Sequence, residues 1–213
     1  MAVGIVEKLQ AECLDDSIPV STLLRKAKLI ASKLKLAEFE AWVDREQGGY
    51  DDTPRAELPR YRHVRGQPEA QDMYGWKPIM GGTSEFQEAI GTATLAEPIA
   101  ELEALIQDKE GGGIAISYSP KAEAVIHRGI GRVAPLRLDL GMNKIIAVVD
   151  AVRNTLLNWS LELEKAGVLG EGLSFNERDK VTAAHVTNNF FHSNVGVLGS
   201  VTDNARVSNA QGQ

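Results

Sequence analysis

The sequence predicts an α+β fold with three parts: an N-terminal helical bundle, a small β-sheet with a long core helix, and a short C-terminal strand or solenoid-like tail. Three observations indicate this. Residues 1–50 repeat apolar side chains at helical spacing, residues 51–180 combine chain breakers, alternating runs and one long apolar stripe, and the end of the chain carries little charge. We therefore expect a globular domain at residues 1–180 and an Asn/Val/Gly-rich strand-forming tail at residues 181–213.

The composition is that of an ordinary soluble protein, with 43% hydrophobic and 24% charged residues in 213. A net charge of −6 argues against a general nucleic-acid binder. The single cysteine cannot form an intramolecular disulfide and fits a reducing cytoplasm. The sequence contains no apolar core of signal-peptide type and no run near the ~20 residues that span a bilayer. We expect a cytoplasmic protein without membrane contact.

The first fifty residues predict three helices. Apolar side chains recur on one face of each predicted helix: Ile5, Leu9 and Cys13 in the first, Leu23, Ala27, Ile30 and Leu34 in the second, and Phe39, Trp42 and Val43 in the third. Ser21 is in position to cap the second helix, and Gly48-Gly49 suits a left-handed cap at the end of the third.

From Asp51 to about Gly82, prolines and glycines break any helical pattern, and irregular structure with one or two strands is expected. Residues 85–90 predict a short helix. Pro98 opens another helix over residues 99–106. The acidic side chains of this second helix, including Glu101 and Glu103, are interpreted as a solvent-facing surface.

Two strands are predicted next. Ile114, Ile116 and Tyr118 alternate with small residues, and residues 133–140 place Leu136, Leu138 and Leu140 on one side and Arg137 and Asp139 on the other. Gly129-Ile130-Gly131 lacks the third glycine and the strand-to-helix context of a dinucleotide motif, so we interpret it as a turn between strands.

The longest regular element follows Gly141. Large apolar side chains there are spaced four, three, four, three and four residues apart: Ile145, Val149, Val152, Leu156, Trp159 and Leu163. This spacing puts six of them on one stripe of a helix that ends near Gly167. We expect the stripe to pack inside the chain, with helix pairing between subunits as the alternative.

The end of the chain has a different character. After Asn188 the only charged residues are Asp203 and Arg206, and a shift of ten residues aligns Val197 with Val207 and Gly199 with Asn209. The pattern predicts two short strands that pair or stack with other copies of the chain. The expected oligomerisation residues are Phe190, Asn194, Val195, Val197, Val201, Asn204, Val207 and Asn209. The alternative is a disordered terminus.

Catalytic and metal-binding motifs are missing from the sequence. The four histidines, His63, His127, His185 and His192, are not at ligand spacing, so no metal and no cofactor are expected. Cys13 lies on an apolar helix face, where a buried and inert thiol is expected. The hypothesis preferred here is therefore a non-enzymatic protein.

A basic cluster is the one polar feature with a candidate role. The cluster lies within the ten residues that follow Arg55. Its members are expected to contact phosphate or nucleic acid: Arg60, Tyr61, Arg62, His63 and Arg65. The alternative is that these arginines pair with the many carboxylates of an acidic chain.

Two blocks of the sequence resemble the AbiTii domain family. The first block comprises Leu24–Leu34, Glu38–Val43, Glu46, Gly49-Tyr50 and Leu58–Arg62. The second comprises Val152-Arg153, Leu156–Glu164 and Gly167–Phe175. Together they frame nearly all of residues 1–180.

The family takes its name from a bacterial abortive-infection system, in which infected cells block phage propagation at the cost of their own growth. The resemblance implies a shared core at the apolar matching positions Phe39, Trp42, Leu156, Trp159 and Phe175. Its polar matching positions are Tyr50, Tyr61, Arg62 and Arg153, and these are the candidates for a shared function. The resemblance supplies no catalytic residues.

Two functional hypotheses follow. The first is an antiphage defence protein that self-assembles through its C-terminal strand motif and acts as a sensor, adaptor or signalling scaffold, with another defence protein or a phage component as partner. The second is a toxin-like effector that acts on RNA or a nucleotide through the basic cluster.

Overall fold

The computed structural model of the protein describes residues 3–108 and 112–194, the last three as backbone alone. The helices of this part of the chain are α1 (Ile5–Cys13), α2 (Val20–Leu34), α3 (Ala37–Gly48), α4 (Ser84–Gly91), α5 (Ile99–Gln107), α6 (Pro120–Ile130), α7 (Met142–Lys165) and α8 (Glu177–Asn194). The strands are β1 (His63–Arg65), β2 (Gln67–Asp72), β3 (Gly75–Pro78), β4 (Thr92–Thr94), β5 (Ile114–Ile116) and β6 (Leu136–Leu140). The predicted α+β class is confirmed.

Helix α7 is the centre of the larger hydrophobic core. All six side chains of the predicted apolar stripe are buried along its 24 residues, which span about 36 Å. The helix packs against α1, α2, α5 and α8 of the same chain. The expectation that the stripe has an intramolecular partner is confirmed.

The three N-terminal helices form as predicted, but the cap of α2 differs. The helix begins at Val20 after Pro19, so Ser21 lies inside the first turn and is not the N-cap. The Glu103 carboxylate of α5 accepts the Val20 N–H at 2.5 Å and the Ser21 N–H at 3.3 Å. A side chain from a distant segment therefore satisfies these amides, and Glu103 does more than face solvent.

The strands form two antiparallel sheets. β1 pairs with β4, and the second sheet has the order β3-β2-β6-β5. Leu136, Leu138 and Leu140 of β6 are buried, which confirms the predicted alternation, although the strand begins at Leu136 and not at Val133. Region 51–82 contains three strands where one or two were expected.

A smaller core lies under the β2 side of the four-stranded sheet. It is formed by buried side chains from β2, β6, α4, α6 and the residue after β3: Ala70, Leu136, Ile90, Ile126 and Ile79. Phe86 and Tyr118 pack against it from the side.

Helix α6 was missed in the sequence, and the interpretation of Gly129–Gly131 as a turn between strands is wrong. Ser119 caps α6 by accepting the Ala122 N–H at 3.3 Å, and Pro120 opens the first turn. Gly131, at φ 69°, ends the helix in the left-handed conformation that glycine tolerates best. These start and stop signals were present in the sequence.

The tail prediction needs a correction at its beginning. Residues 181–194, the first part of the predicted tail, belong to α8, which starts with a reciprocal cap in which Asn176 and Asp179 each accept the other's backbone N–H. Phe190, expected in a strand between subunits, is buried in the larger core. Asn194 is the last residue of the helix, and Val195, Val197, Val201, Asn204, Val207 and Asn209 lie outside the described residues.

Candidate functional site

A buried polar network joins α3 to the segment just before β1. Trp42 and Glu46 lie one turn apart on α3, and Tyr50 follows its end, so helical spacing aligns the three side chains. Residues 60–62 form a single 3-10 turn that turns Tyr61 and Arg62 toward α3. Glu46 and Arg62 are both fully buried.

The Glu46 carboxylate is the acceptor at the centre of this network. Its Oε1 atom accepts the hydroxyl of Tyr50 at 2.5 Å and the hydroxyl of Tyr61 at 2.6 Å, and its Oε2 atom pairs with Nη2 of Arg62. Trp42 donates its indole N–H to the Tyr61 oxygen at 2.9 Å. Two charge-assisted hydrogen bonds and one ion pair therefore compensate the carboxylate for its removal from water.

Arg62 also binds the backbone that precedes α5. Its Nη1 atom donates to the carbonyl oxygens of Leu95 at 3.0 Å and Glu97 at 2.7 Å, and its guanidinium lies 4.9 Å from the centre of the Tyr50 ring. Within the described structure, the Nε atom is the single buried side-chain nitrogen or oxygen without a hydrogen-bond partner. Arg62 therefore links α3, the 3-10 turn and the β4–α5 loop.

The two phenols of the network remain protonated at neutral pH. Burial, followed by the nearby Glu46 carboxylate, raises the pKa of Tyr50 and of Tyr61 well above the ordinary value for tyrosine. Both hydroxyls are thus fixed as donors to Glu46. A network that is buried, paired and fixed in protonation stabilises one arrangement of the chain.

Arg153 of α7 is the fourth polar position on which the sequence resemblance rests, and it lies apart from the network. It donates to three carbonyl oxygens around the α1–α2 connection: Cys13 at 3.4 Å, Asp15 at 3.1 Å and Ile18 at 2.7 Å. The three other shared polar residues, Tyr50, Tyr61 and Arg62, meet at Glu46. All four therefore hold segments of the fold together.

The structure divides the predicted basic cluster. Arg62 is buried and paired with Glu46, and Tyr61 is partly buried, so neither belongs to an exposed phosphate-binding surface. Arg60, His63 and Arg65 are exposed. Because side chains alternate along β1, Val64 points to the core while His63 and Arg65 share the opposite face.

The histidines and the cysteine of the described part of the chain lie apart from this network. In residues 3–108 and 112–194, no group of three or more His, Cys, Asp or Glu residues is placed to hold a metal ion. Burial raises the pKa of the Cys13 thiol to about 11, which disfavours the reactive thiolate. His127 contacts the Ala134 carbonyl at 2.8 Å through Nε2.

Within the described residues, no helix has the length and apolar character needed to cross a bilayer. A model of the AbiTii family matches residues 4–188. The chain belongs to the AbiTii family. Neither the curated proteins nor the solved structures contain a match.

Family membership indicates an abortive-infection defence protein. The large apolar positions shared with the family are core residues here: Phe39, Trp42, Leu156 and Trp159 are fully buried, and Phe175 packs against the same core. The matched region ends at residue 188, so the Phe190-Phe191 pair and the residues that follow lie beyond it.

Proposed function

We propose that this abortive-infection protein self-assembles through residues 195–213 and acts as a sensor, adaptor or signalling scaffold. The observation that supports the proposal best is the way in which α8 is anchored. A valine-containing segment without net charge follows a helix whose residues Phe190 and Phe191 are packed into the core of the domain.

The anchor of α8 is aromatic. The ring of Phe191 lies 5.4 Å from Phe39, 6.0 Å from Trp42 and 5.8 Å from Phe190, measured between ring centres. One turn earlier, Thr187 accepts the indole N–H of Trp159 at 3.0 Å. These contacts fix the described turns of α8 that contain Thr187 and Phe191 beside α3 and α7.

The residues after the anchor have the composition of strands that pair between chains. Val195, Val197, Val201 and Val207 alternate with small polar residues, and Asp203 and Arg206 are the only charges. Such a segment meets little electrostatic resistance when copies stack in register. Assembly would raise the local concentration of the domains and turn weak contacts into avidity of about 10²-fold or more.

The polar residues of the domain support an adaptor role over catalysis. The polar candidates from the family resemblance donate their hydrogen bonds within the domain, either to Glu46 or to backbone carbonyls. These residues are Tyr50, Tyr61, Arg62 and Arg153. The partner of the assembled protein would be another defence protein or a phage component.

Truncation tests the assembly. A chain ending at Asn194 keeps Phe190 and Phe191, so it should remain folded and elute as a monomer, while the full-length protein forms a larger species. Size-exclusion chromatography with light scattering measures both masses. Equal masses for the two proteins would refute the proposal. Truncation at residue 188 is unsuitable, because it also removes Phe190 and Phe191. A change in mass could then result from loss of stability as well as from loss of assembly.

A pair of matched double variants tests whether valine side chains drive the assembly. Val197→Asn with Val207→Asn should reduce the mass toward that of the monomer, because the variant loses the apolar contacts between stacked strands. Ser200→Asn with Ser208→Asn introduces the same residues at polar positions and should retain the assembly. In an infection assay, loss of protection should follow loss of assembly.

The exposed part of the basic cluster supports a second candidate function, an effector that acts on RNA or a nucleotide. Arg60, His63 and Arg65 remain accessible, and the last two share one face of β1. An effector acting on RNA or a nucleotide would use this surface. Arg65→Ala should then weaken RNA binding while Arg25→Ala, which removes another exposed charge on α2, should not. Equal binding by both variants, or none by the wild type, would eliminate this candidate.

A further inference from the structure

We propose that a cavity beside edge strand β3 binds a small organic phosphate. The cavity has a volume of about 320 Å³ and lies between β3, the loop that follows it, α4 and the end of α6. This volume is at the lower end of the range for small-molecule sites. The proposal does not depend on the self-assembly of residues 195–213.

The charge of the cavity wall opposes that of the whole chain. The protein has 29 acidic and 23 basic residues, yet the lining contains Lys77 and Arg132 and no carboxylate. Within the described part of the chain, Lys77 forms no ion pair, and the contact of Arg132 is a long one, 3.5 Å to the carbonyl oxygen of Gln71. Both cations are therefore available to an anion.

Apolar side chains form a smaller part of a cavity lining whose accessible surface is mostly polar. Ala70 and Ile79 are buried there, and the ring of Phe86 stands beside them. A Cβ atom at Gly82 would lie 2.8 Å from the Phe86 ring and one at Gly129 would lie 2.6 Å from it, so the absence of side chains at both positions lets the ring occupy this place. An apolar or aromatic part of a ligand would lie against Phe86.

Register explains how the cationic and apolar groups come together. Lys77 of β3 is the direct partner of Ala70 in β2, and partners in an antiparallel pair project from the same face of the sheet. Lys77 thus projects on the face that α4 and α6 cover. Arg132 approaches from the other side, just after Gly131 ends α6.

A phosphate fits this arrangement better than a singly charged anion. Two cations from separate elements can each meet an oxygen of a dianion, and charge-assisted hydrogen bonds to phosphate are among the strongest in proteins. The start of α4 contributes little, because Thr83 already accepts the Phe86 N–H at 3.2 Å and Glu85 bonds to Thr83 and to its own backbone. The two side chains must therefore supply the recognition.

Calorimetric titration of the full-length protein with phenyl phosphate tests the site. Benzyl alcohol serves as the uncharged probe and inorganic phosphate as the probe without a ring. Phenyl phosphate should bind more tightly than either. Lys77→Gln with Arg132→Gln should weaken its binding by about tenfold or more, because both charge-assisted contacts are lost.

The matched control is Lys121→Gln with Arg128→Gln, which removes the same two charges from exposed positions on α6 outside the lining. This variant should bind as the wild type does. Amide NMR should show the largest shifts at Gly81, Gly82 and Gly129. The proposal is overturned if phenyl phosphate does not bind at millimolar concentration, if both double variants lose affinity equally, or if the shifts lie elsewhere. Since all four side chains are exposed, melting temperatures will show whether the variants stay folded.

Discussion

Two arginine–glutamate pairs mark two different regions of the molecule. Arg62 and Glu46 pair inside the larger core with both side chains at 0% exposure, whereas Arg137 and Glu69 pair on the four-stranded sheet with 30% and 14% exposure. Arg62 is surrounded by two tyrosines and two carbonyl groups. Arg137 lies 4.4 Å over the Trp76 ring with one face open to water.

The difference in exposure separates a region whose polar groups stabilise the fold from a region whose polar groups are accessible to solvent and ligands. In the larger core, each removed partner leaves a charge without solvent or a hydrogen bond, so the arrangement tolerates little change. On the four-stranded sheet, water can replace lost partners of exposed side chains, and exposed cations stay available to a ligand. We therefore expect ligands to bind at the four-stranded sheet and not at the buried network around Glu46 and Arg62.

Arg62→Ala should give the largest effect. Removal of the guanidinium leaves Glu46 charged in the interior and two carbonyls without donors, so the free energy of unfolding should fall by about 3 to 5 kcal/mol. Urea denaturation measures the change. Arg60→Ala, two residues away and exposed, serves as the control with little expected effect. A loss below about 1 kcal/mol for Arg62→Ala would remove the distinction between the two regions.

A matched pair of leucine substitutions compares the packing of the two cores. Leu156→Ala at the centre of α7 should cost about 4 kcal/mol, and Leu136→Ala on β6 about 2 kcal/mol, because the sheet side can relax into the space. Leu156 is 0% and Leu136 8% exposed. The same urea experiment applies, and equal costs would mean that the two cores are equally rigid.

Alkaline pH should weaken the larger core through Cys13. The unfolded chain loses the thiol proton near pH 9, while the folded chain keeps it to about pH 11. Unfolding therefore releases a proton in this window, and stability should fall by on the order of 2 kcal/mol as pH rises through it. The tyrosines Tyr50 and Tyr61 act in the same direction at higher pH.

Cys13→Ala isolates the contribution of the thiol. Its stability should decline less between pH 9 and pH 11 than that of the wild type, when urea midpoints are compared at each pH. Parallel pH profiles for the two proteins would show that the thiol ionises equally easily in the folded and unfolded chains.

Arg137→Ala should have the smallest effect on stability, below about 1 kcal/mol, since a partly exposed ion pair gains little over hydration. Added salt should reduce even this difference. A cost comparable to that of Arg62→Ala would show that the Trp76 stacking and the 2.7 Å contact of Arg137 Nε with Glu69 stabilise the sheet far more than exposure suggests.

Much of the fold could be predicted because the relevant signals are local. The three N-terminal helices, the apolar stripe of α7 and the alternation of β6 follow from periodicity within a single element. Helix α6 could also have been found from Ser119, Pro120 and Gly131. The helical state of residues 181–194 was less accessible, because the Asn-rich composition at its end favours other structures, whereas the core contacts of Phe190 and Phe191 favour the helix.

The candidate site shows the same division. From the sequence, Arg60 through Arg65 form one basic cluster, yet alternation along β1 and the turn before it send Arg62 inward and His63 and Arg65 outward. The acceptor for Arg62, Glu46, is 16 residues away, and its carbonyl partners at Leu95 and Glu97 are 33 and 35 residues away. Composition along the chain cannot contain that information.

By itself, the sequence determined the class of fold, the helices with a repeating apolar face and membership of the AbiTii family, because these depend on the order of neighbouring residues. The tertiary structure alone decided which charges are buried, that Glu103 caps a helix 83 residues away, and that Lys77 and Arg132 share a cavity. The physical reason is that burial and pairing depend on segments that meet only when the chain has folded.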